Sequence, residues 1–294
     1  MALPSSGIIS LSDIQTEFGG SNPISLSEYY RSPNGLPTDN NTSIPLSGAI
    51  SLSNFYGAVK QFAFTISANL STAQNLRTLA LAAGWNAADP VLVTIATGVV
   101  ISSSNTGQSA LTVSGSFPAG VILINNGYII GQGGAGGNGN SFSAPYAGGP
   151  ALSVATNITI NNASGIIAGG GGGGGGGSAG GTGGRLGGGG GGGGGQSGLT
   201  ASPAGTGGPA PWYPGFDGAT GSFSGAGAGG AAGYAPYGGA GGNGGSWGNA
   251  GNAGVIGIDP SYQTSGAGGA AGSSVTGNSF ITWLSTGTRL GPIA

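Results

Sequence analysis

Residues 169–195 read GGGGGGGGG, SAGGTGGRL, GGGGGGGGG: two runs of nine glycines, Gly169–Gly177 and Gly187–Gly195, on either side of a short spacer. Glycine inside a helix or strand costs roughly 0.5–1 kcal/mol relative to alanine, so ordinary secondary structure does not explain the runs. A collagen-type triple helix needs an unbroken Gly-X-Y register rich in proline, and the registers here are broken. A phosphate-binding loop needs a lysine after its glycines, and none occurs beyond Lys60. GxG patterns recur throughout by composition and carry no dinucleotide-binding information.

Two states remain for the runs. One is a flexible coil. The other is a bundle of extended polyglycine II helices, which share polyproline II geometry. At a rise of about 3.1 Å per residue, nine glycines then span roughly 28 Å. Such a helix has no internal hydrogen bonds, so every N–H and C=O must pair with a neighbour. Ordering costs on the order of 1–2 kcal/mol per residue, which only a fully paired array offsets. The tracts are bordered by Trp, Tyr, Ile and Pro, and a patterned strand (Phe280, Thr282 and Leu284 against Ile281 and Trp283) follows them. A bundle is therefore expected.

Working outward, residues 131–272 hold 57 of the 72 glycines in the 294-residue chain, and only Arg185, Asp217 and Asp259 are charged there. Residues 61–130 have ordinary patterning. Phe62, Phe64 and Ile66 alternate, as do Val91, Val93 and Ile95, and further strands are expected at 110–114 and 121–130. Ser71 with Gln74 is expected to open a helix carrying Leu76, Leu79, Ala80 and Ala83, with Gly84 at its C-terminal stop. Ile124-Asn125-Asn126 before Ile129-Ile130 and a glycine tract is repeated as Ile160-Asn161-Asn162 before Ile166-Ile167 and another. Such recurrence implies stacked, equivalent strand-and-turn units.

The head carries its own repeat. Ile9-Ser10-Leu11-Ser12-Asp13-Ile14, Ile24-Ser25-Leu26-Ser27-Glu28-Tyr29 and Ile50-Ser51-Leu52-Ser53-Asn54-Phe55 share one pattern. The last Ser of each fits a helix N-cap, Ser12 with Gln15 fits a capping box, and Gly19, Pro33 and Gly57 stop each helix within one or two turns. Three such short helices bury little surface alone. The segment is therefore expected to dock on a partner through Ile14, Phe18, Tyr29, Tyr30, Phe55 and Tyr56. A minor helical subdomain packed on the rest of the chain is the plainer alternative.

The fold class expected is thus mainly β with short helices. A small helical docking segment (1–58) precedes a small α+β domain (61–130, completed by 278–294), and a polyglycine II bundle, or glycine sandwich (131–277), is closed by a C-terminal strand. Composition removes many functions. With five Lys+Arg against seven Asp+Glu, the net charge is −2, and no basic footprint for nucleic acid exists. There is no Cys and no His, so disulfide frameworks, zinc fingers and histidine-based catalysis are out. The carboxylates are scattered, so no enzyme, catalytic residue, metal or cofactor is expected. The N-terminus lacks a secretory pattern and no window approaches 18 apolar residues, so neither secretion nor membrane insertion is expected. Charged residues are only 4% of the chain, which suits a part of a larger assembly better than a free protein.

Glycine tracts alternating with short aromatic loops resemble the polyglycine-sandwich adhesins at the tips of T-even-type phage long tail fibres. GGSNPISLSEYY (19–30) and AISLSNFYGA (49–58) look like segments recurring in tailed-phage structural proteins. INNGYIIGQGGAGG (124–137) and ITWLSTGTRLGPIA (281–294) are similar to parts of glycine-rich phage virion proteins. The head departs from those adhesins, which attach through a different N-terminal region. The resemblance implies a tail fibre or tail-tip receptor-binding protein, located in the virion and assembled in the host cytoplasm. Its partners would be other virion proteins through 1–58 and a host surface glycan or outer-membrane protein, with a homo-oligomer also allowed. The contact loops would lie at the distal end of the bundle. The candidates are Trp212, Tyr213, Phe216 and Asp217 in PAPWYPGFDG (209–218), then Tyr234, Tyr237, Trp247 and Tyr262, with Phe142 and Tyr146 in an earlier loop. Each ring has the alternative role of capping the bundle. Arg185 reads as a solvated turn residue. A decoration protein without a receptor and an ice-binding protein are the rival functions, and the head argues against the latter.

Overall fold

A computed structural model describes residues 3–31, 41–140, 145–181, 187–235, 237–258 and 264–294. The protein is mainly β with few short helices, and its sheets are parallel. From residue 62 the chain winds as a three-faced coil. The first turn contributes β1 (Phe62–Ile66) and β2 (Gln74–Asn75), and the second β3 (Val91–Ile95), β4 (Val100–Ser102) and β5 (Leu111–Val113). The third adds β6 (Val121–Asn125), β7 (Tyr128–Ile130) and β8 (Leu152–Val154), and the fourth β9 (Ile158–Asn161), β10 (Ile166–Ala168) and β11 (Val275–Thr276). β12 (Ile281–Ser285) and β13 (Thr288–Leu290) form the last. Equivalent strands of successive turns pair in parallel, giving one five-stranded and two four-stranded faces. Leu70 and Ile293 complete the outermost turns through single bridges to Ile101 and Val275.

Inward residues of every turn meet in one core. Val91, Val93, Ile95, Leu123 and Ile160 are fully enclosed there with Leu111, Leu152 and Ile129. Because the pattern alternates, a one-residue slip would turn this set outward. Burial therefore overrides the sequence repeat by one position. Ile124 pairs with Asn161 instead of Ile160, and Ile129 pairs with Ile167 instead of Ile166, so that enclosed residues face enclosed residues. The expected long strand at 121–130 is broken into β6 and β7 by the corner at Asn126–Gly127. The domain boundary expected at 131 does not divide the strands, since β8 to β11 (152–168 and 275–276) are rungs of the same coil as β1 to β7. The C-terminal strand β12 pairs with β9, so it extends this coil and does not close the glycine region.

The helix α2 spans Leu76–Ala82 and is capped by Asn75, not by Ser71. Asn75 Oδ1 accepts from the N–H groups of Arg77 and Thr78, while Gln74-Asn75 is held as strand by β5. Gly84 stops the helix at φ +103°, a conformation that L side chains avoid.

Glycine segments are spliced into the third and fourth turns. Segments 131–140, 169–180, 202–208, 225–233 and 249–257 run away from the coil, and 145–149, 187–196, 215–221, 238–245 and 266–272 return. Their backbones pair laterally at every third residue. Gly171, Gly174 and Gly177 donate to Gln196, Gly193 and Gly190 at 2.8–2.9 Å, and Gly134, Gly137 and Asn140 donate to Gly171, Gly174 and Gly177. Gly172, Gly175 and Ser178 point a third way, to Asn249, Asn252 and Val255. Glycine is required by distance: a Cβ on Gly174 would lie 2.0 Å from the carbonyl oxygen of Gly242.

The head has a core of its own: Leu3, Ile9, Ile14, Tyr29, Ile44, Phe55 and Ala58 are buried together. Phe18, Tyr29 and Phe55 touch pairwise with ring centroids 6.2–6.5 Å apart. The first repeat forms an α-helix, α1 (Leu11–Phe18), and the other two form single 3₁₀ turns, Leu26–Tyr29 and Leu52–Phe55. The cap lies two residues earlier than expected. Ser10, not Ser12, closes a capping box, because only Ser10 stands three residues before a carboxylate: its N–H donates to Asp13 Oδ2 at 2.8 Å. Asn54 does the same for Ser51.

Candidate functional site

The alternation of outgoing and returning glycine segments fixes which connections lie at the far end of the array. Loop 209–214 joins an outgoing segment to a returning one there, and Tyr234 and Tyr237 flank the next such connection. The connections 197–201, 222–224 and 246–248 lie at the near end, against the coil. Prolines 209, 211 and 214 set φ across the first far loop and leave little freedom to lose. Its base is pinned by Asn140, whose Nδ2 donates to the Pro209 carbonyl at 2.8 Å while its Oδ1 accepts from the Gly189 N–H at 2.7 Å. Gly188 N–H donates to the Tyr213 carbonyl, fixing the other side.

This loop displays apolar surface. Trp212 is 72% exposed and Phe216 63%, a state that soluble surfaces avoid for large rings in groups. Tyr213 stacks on Tyr234 at 4.7 Å between centroids, and Tyr234 on Tyr237 at 5.3 Å with an interplanar angle of 3°. Three rings from two loops thus form one continuous stack with Trp212 and Phe216 flanking it in sequence. Asp217 is exposed, but its Oδ1 already accepts from the Gly207 N–H at 2.7 Å, which spends part of its capacity on holding the loop. Val255, Ile256 and Ile258, on the last outgoing segment, are exposed at the same end. Sequence reasoning passed over this aliphatic run; its signal was an apolar cluster standing among glycines with no partner of matching period.

Trp247 is not a distal residue. Its loop is on the near side, where the ring meets Phe223 at 4.9 Å and Tyr128 at 6.4 Å over Val100, Ile130 and Ala168. The indole N–H donates to the Ser197 carbonyl at 3.0 Å. It caps the root of the array, which is the other role open to any ring in these loops. Tyr146 lies on the flank, its N–H bonded to the Ala135 carbonyl part-way along the first outgoing segment. Tyr262, Phe142, Arg185 and Asp259 lie outside the described residues.

The expected docking residues divide. Ile14, Tyr29 and Phe55 are enclosed in the head's own core, because the three repeats turn their equivalent residues toward one another; they present no surface to a partner. Phe18 packs against the same core. Tyr30 and Tyr56 keep exposed area, each donating its hydroxyl to a backbone carbonyl, of Gly48 and Gly7 respectively. Among the described residues of the head the most exposed apolar side chain is Ile8, at 95%, beside the Gly7 carbonyl that holds Tyr56; Leu46 is exposed too. Asp13 shows the charge side of the same design. Its side-chain and backbone hydrogen bonds from Ser10 hold the carboxyl below its ordinary value. Burial, then the neighbouring Glu28 carboxylate, pushes the Tyr29 hydroxyl up.

Among the described residues no group of three His, Cys, Asp or Glu side chains is placed to hold a metal, and no helix is long and apolar enough to cross a membrane. What the far end offers, among the described residues, is ring-rich contact area held by backbone bonds, with the exposed Asp217 carboxylate beside it.

The model of a family described as phage tail fibre adhesin Gp38 matches residues 61–294. The crystal structure of the gp37–gp38 adhesin tip complex of the bacteriophage S16 long tail fiber contains a chain of similar fold. The likeness covers 99% of this chain and 100% of that one, with a TM-score of 0.56 at 23% identity. None of the curated proteins matches.

Proposed function

The chain belongs to the phage tail fibre adhesin Gp38 family, and from that premise we propose that the far end of its glycine array is the surface that meets the host receptor. It is a phage tail fibre adhesin and a virion component; neither a decoration role nor ice binding is favoured. The observation that carries the proposal is the group of rings around loop 209–214: Trp212, Tyr213 and Phe216 are exposed, Tyr213 stacks on the half-buried Tyr234, and the loop is held by the Asn140 side chain and the Gly188 N–H. Rigid aromatic area binds at low entropic cost, and hot spots are rich in Trp and Tyr. Trp212, Tyr213, Phe216, Tyr234 and Tyr237 are the contact residues in this reading, with Asp217 a secondary acceptor. The partner is a surface glycan or an outer-membrane protein of the host.

The glycine array is read as a polyglycine II bundle, supported by lateral pairing at every third residue, the repeat of a three-residue-per-turn helix. Its role is to carry the loops away from the coil without side chains. Residues 1–58 are read as the attachment module, through Ile8, Tyr56 and Leu46 in place of the enclosed residues. The family model begins at 61, while the structural likeness covers 99% of this chain and so takes in the head as well. The matched chain comes from a complex of gp37 with gp38, which supports another fibre protein as partner here. Assembly in the host cytoplasm follows from that role.

The test is adsorption. Particles carrying Trp212→Ala with Tyr213→Ala should assemble normally and lose host adsorption, since hot-spot rings typically cost at least about 2 kcal/mol each on truncation. Adsorption at the wild-type rate would refute the distal site.

A further inference from the structure

A cleft opens on the flank of the molecule, between loop 103–109 of the coil and the root of the glycine array, and we propose that it is a binding site for a neutral saccharide. It is an open cleft of about 410 Å³, within the roughly 300–1,000 Å³ usual for small-molecule sites. Its walls are hydroxyls and carboxamides: Ser104, Asn105, Thr106, Gln108 and Gln132. Its one aromatic element is Tyr146, which lies 67% exposed. No charged residue lines it.

Those groups have capacity to spare. Asn105 commits Oδ1 to the Gly107 N–H at 2.8 Å, and among the described residues neither its Nδ2 nor the Gln108 side chain makes a hydrogen bond. Gln132 behaves oppositely. It is 4% exposed, and both ends are engaged, Oε1 by Ser197 Oγ at 2.9 Å and Nε2 by the Ala201 carbonyl at 3.3 Å, so it is a fixed floor. The Asn105 turn is also fixed, by Ser103 Oγ bonds to its N–H and carbonyl. A rigid cleft with free amide donors and acceptors beside an uncovered ring fits a ligand with hydroxyls on its rim and C–H groups on one face. A pyranose is such a ligand. An anionic sugar would shed hydration here and meet no cation, which selects for neutral ones.

The site lies on the flank, apart from the far loops, and stands whether or not those loops bind the receptor. Saturation-transfer NMR on the purified full chain, with the methyl glycosides of glucose, galactose, mannose and rhamnose as probes, tests it. Transfer to the ring C–H protons of at least one probe is expected, kept by Tyr146→Phe and by Trp212→Ala and abolished by Tyr146→Ala. Gln108→Ala should weaken binding roughly ten-fold, the scale of one good polar contact. Absence of transfer from all four probes, transfer that survives Tyr146→Ala, or transfer abolished by Trp212→Ala would each overturn the site. Transfer abolished by Trp212→Ala would move saccharide binding to the far loops; the other two outcomes leave adsorption through those loops untouched.

Discussion

Asn125 and Asn162 stand on consecutive turns of the coil and are joined side chain to side chain, Asn125 Nδ2 donating to Asn162 Oδ1 across 2.7 Å in a buried setting. The chain of amides continues to the last turn, where Asn162 Nδ2 donates to the carbonyls of Thr286 and Thr288 at 2.9 and 3.2 Å. At the other end Asn125 Oδ1 accepts from the Gly127 N–H at 3.1 Å. Each corner of a solenoid turns its backbone inward, and a buried unpaired donor or acceptor there costs about 1–3 kcal/mol. The ladder satisfies three successive corners, and the glycine segments leave from the strands that follow two of them.

Asn162→Ala should therefore destabilise the coil by about 2–4 kcal/mol, since it removes at once the buried bond from Asn125 Nδ2 and the bonds to two carbonyls. Asn161→Ala, losing one half-exposed bond to the Ala163 N–H, should cost under about 1 kcal/mol. Chemical unfolding monitored by tryptophan fluorescence separates the two. Equal losses would mean that the ladder adds nothing beyond an ordinary turn.

Much of this coil was legible, and the limit was register. The strands at 62–66 and 91–95 follow from alternation, and the Ile-Asn-Asn repeat correctly signals stacked units. The one-residue slip between repeat and pairing was not legible, because it is decided by which side chains the common core encloses. Helix starts failed for a related reason: Ser71 and Ser12 fit a local cap, yet Asn75 and Ser10 win because the strand pairing of Gln74 and the spacing to Asp13 choose them. Which end of the array each ring occupies depends on how many glycine segments precede it, and that is why Trp247 and Trp212 looked alike in sequence.

Gly174→Ala should collapse the array, because its Cβ would sit 2.0 Å from the Gly242 carbonyl oxygen, in backbone that cannot give way. A cost of about 3 kcal/mol or more is expected, with loss of slow hydrogen exchange over Gly169–Gly177. Gly225→Ala has open space and should fall within about 0.5 kcal/mol of wild type. Random-coil exchange over Gly169–Gly177 in the unaltered protein would end the bundle reading altogether.

The first helix of the head should loosen in acid. The Asp13 carboxyl is held below its ordinary value by Ser10, so its contribution is present above the unfolded carboxylate range and is lost as pH falls through the folded value. Asp13→Asn should keep the cap, as Asn54 does in the third repeat, and remove that dependence. Amide shifts of residues 11–18 followed from pH 6 down report both. An unchanged acid response in the variant would assign it to another group.

Attachment and folding of the head should separate by residue. Phe55→Ala empties a fully enclosed position and should unfold the head, at about 3–5 kcal/mol. Ile8→Asp changes an exposed side chain and should leave the head folded, while the protein fails to enter particles. Normal incorporation of Ile8→Asp would move the attachment surface elsewhere.

Trp247 and Trp212 should give opposite phenotypes, which makes them the sharpest comparison on the molecule. Trp247 is wedged between Phe223 and Tyr128 and bonded to the Ser197 carbonyl, where the glycine array meets the coil. Truncating it removes ring contacts and orphans a carbonyl, so Trp247→Ala should lower the unfolding free energy by about 3 kcal/mol or more. Adsorption of the particles that still carry folded protein should stay at the wild-type rate, because the far loops are untouched. Trp212 lies largely in solvent, and its removal should leave stability within about 0.5 kcal/mol while adsorption fails. The two measurements, thermal unfolding of the purified protein and adsorption per folded adhesin, are independent of each other. Loss of adsorption in Trp247→Ala particles whose adhesin is demonstrably folded would place receptor contact at the root of the array. The far-end assignment would then have to be abandoned.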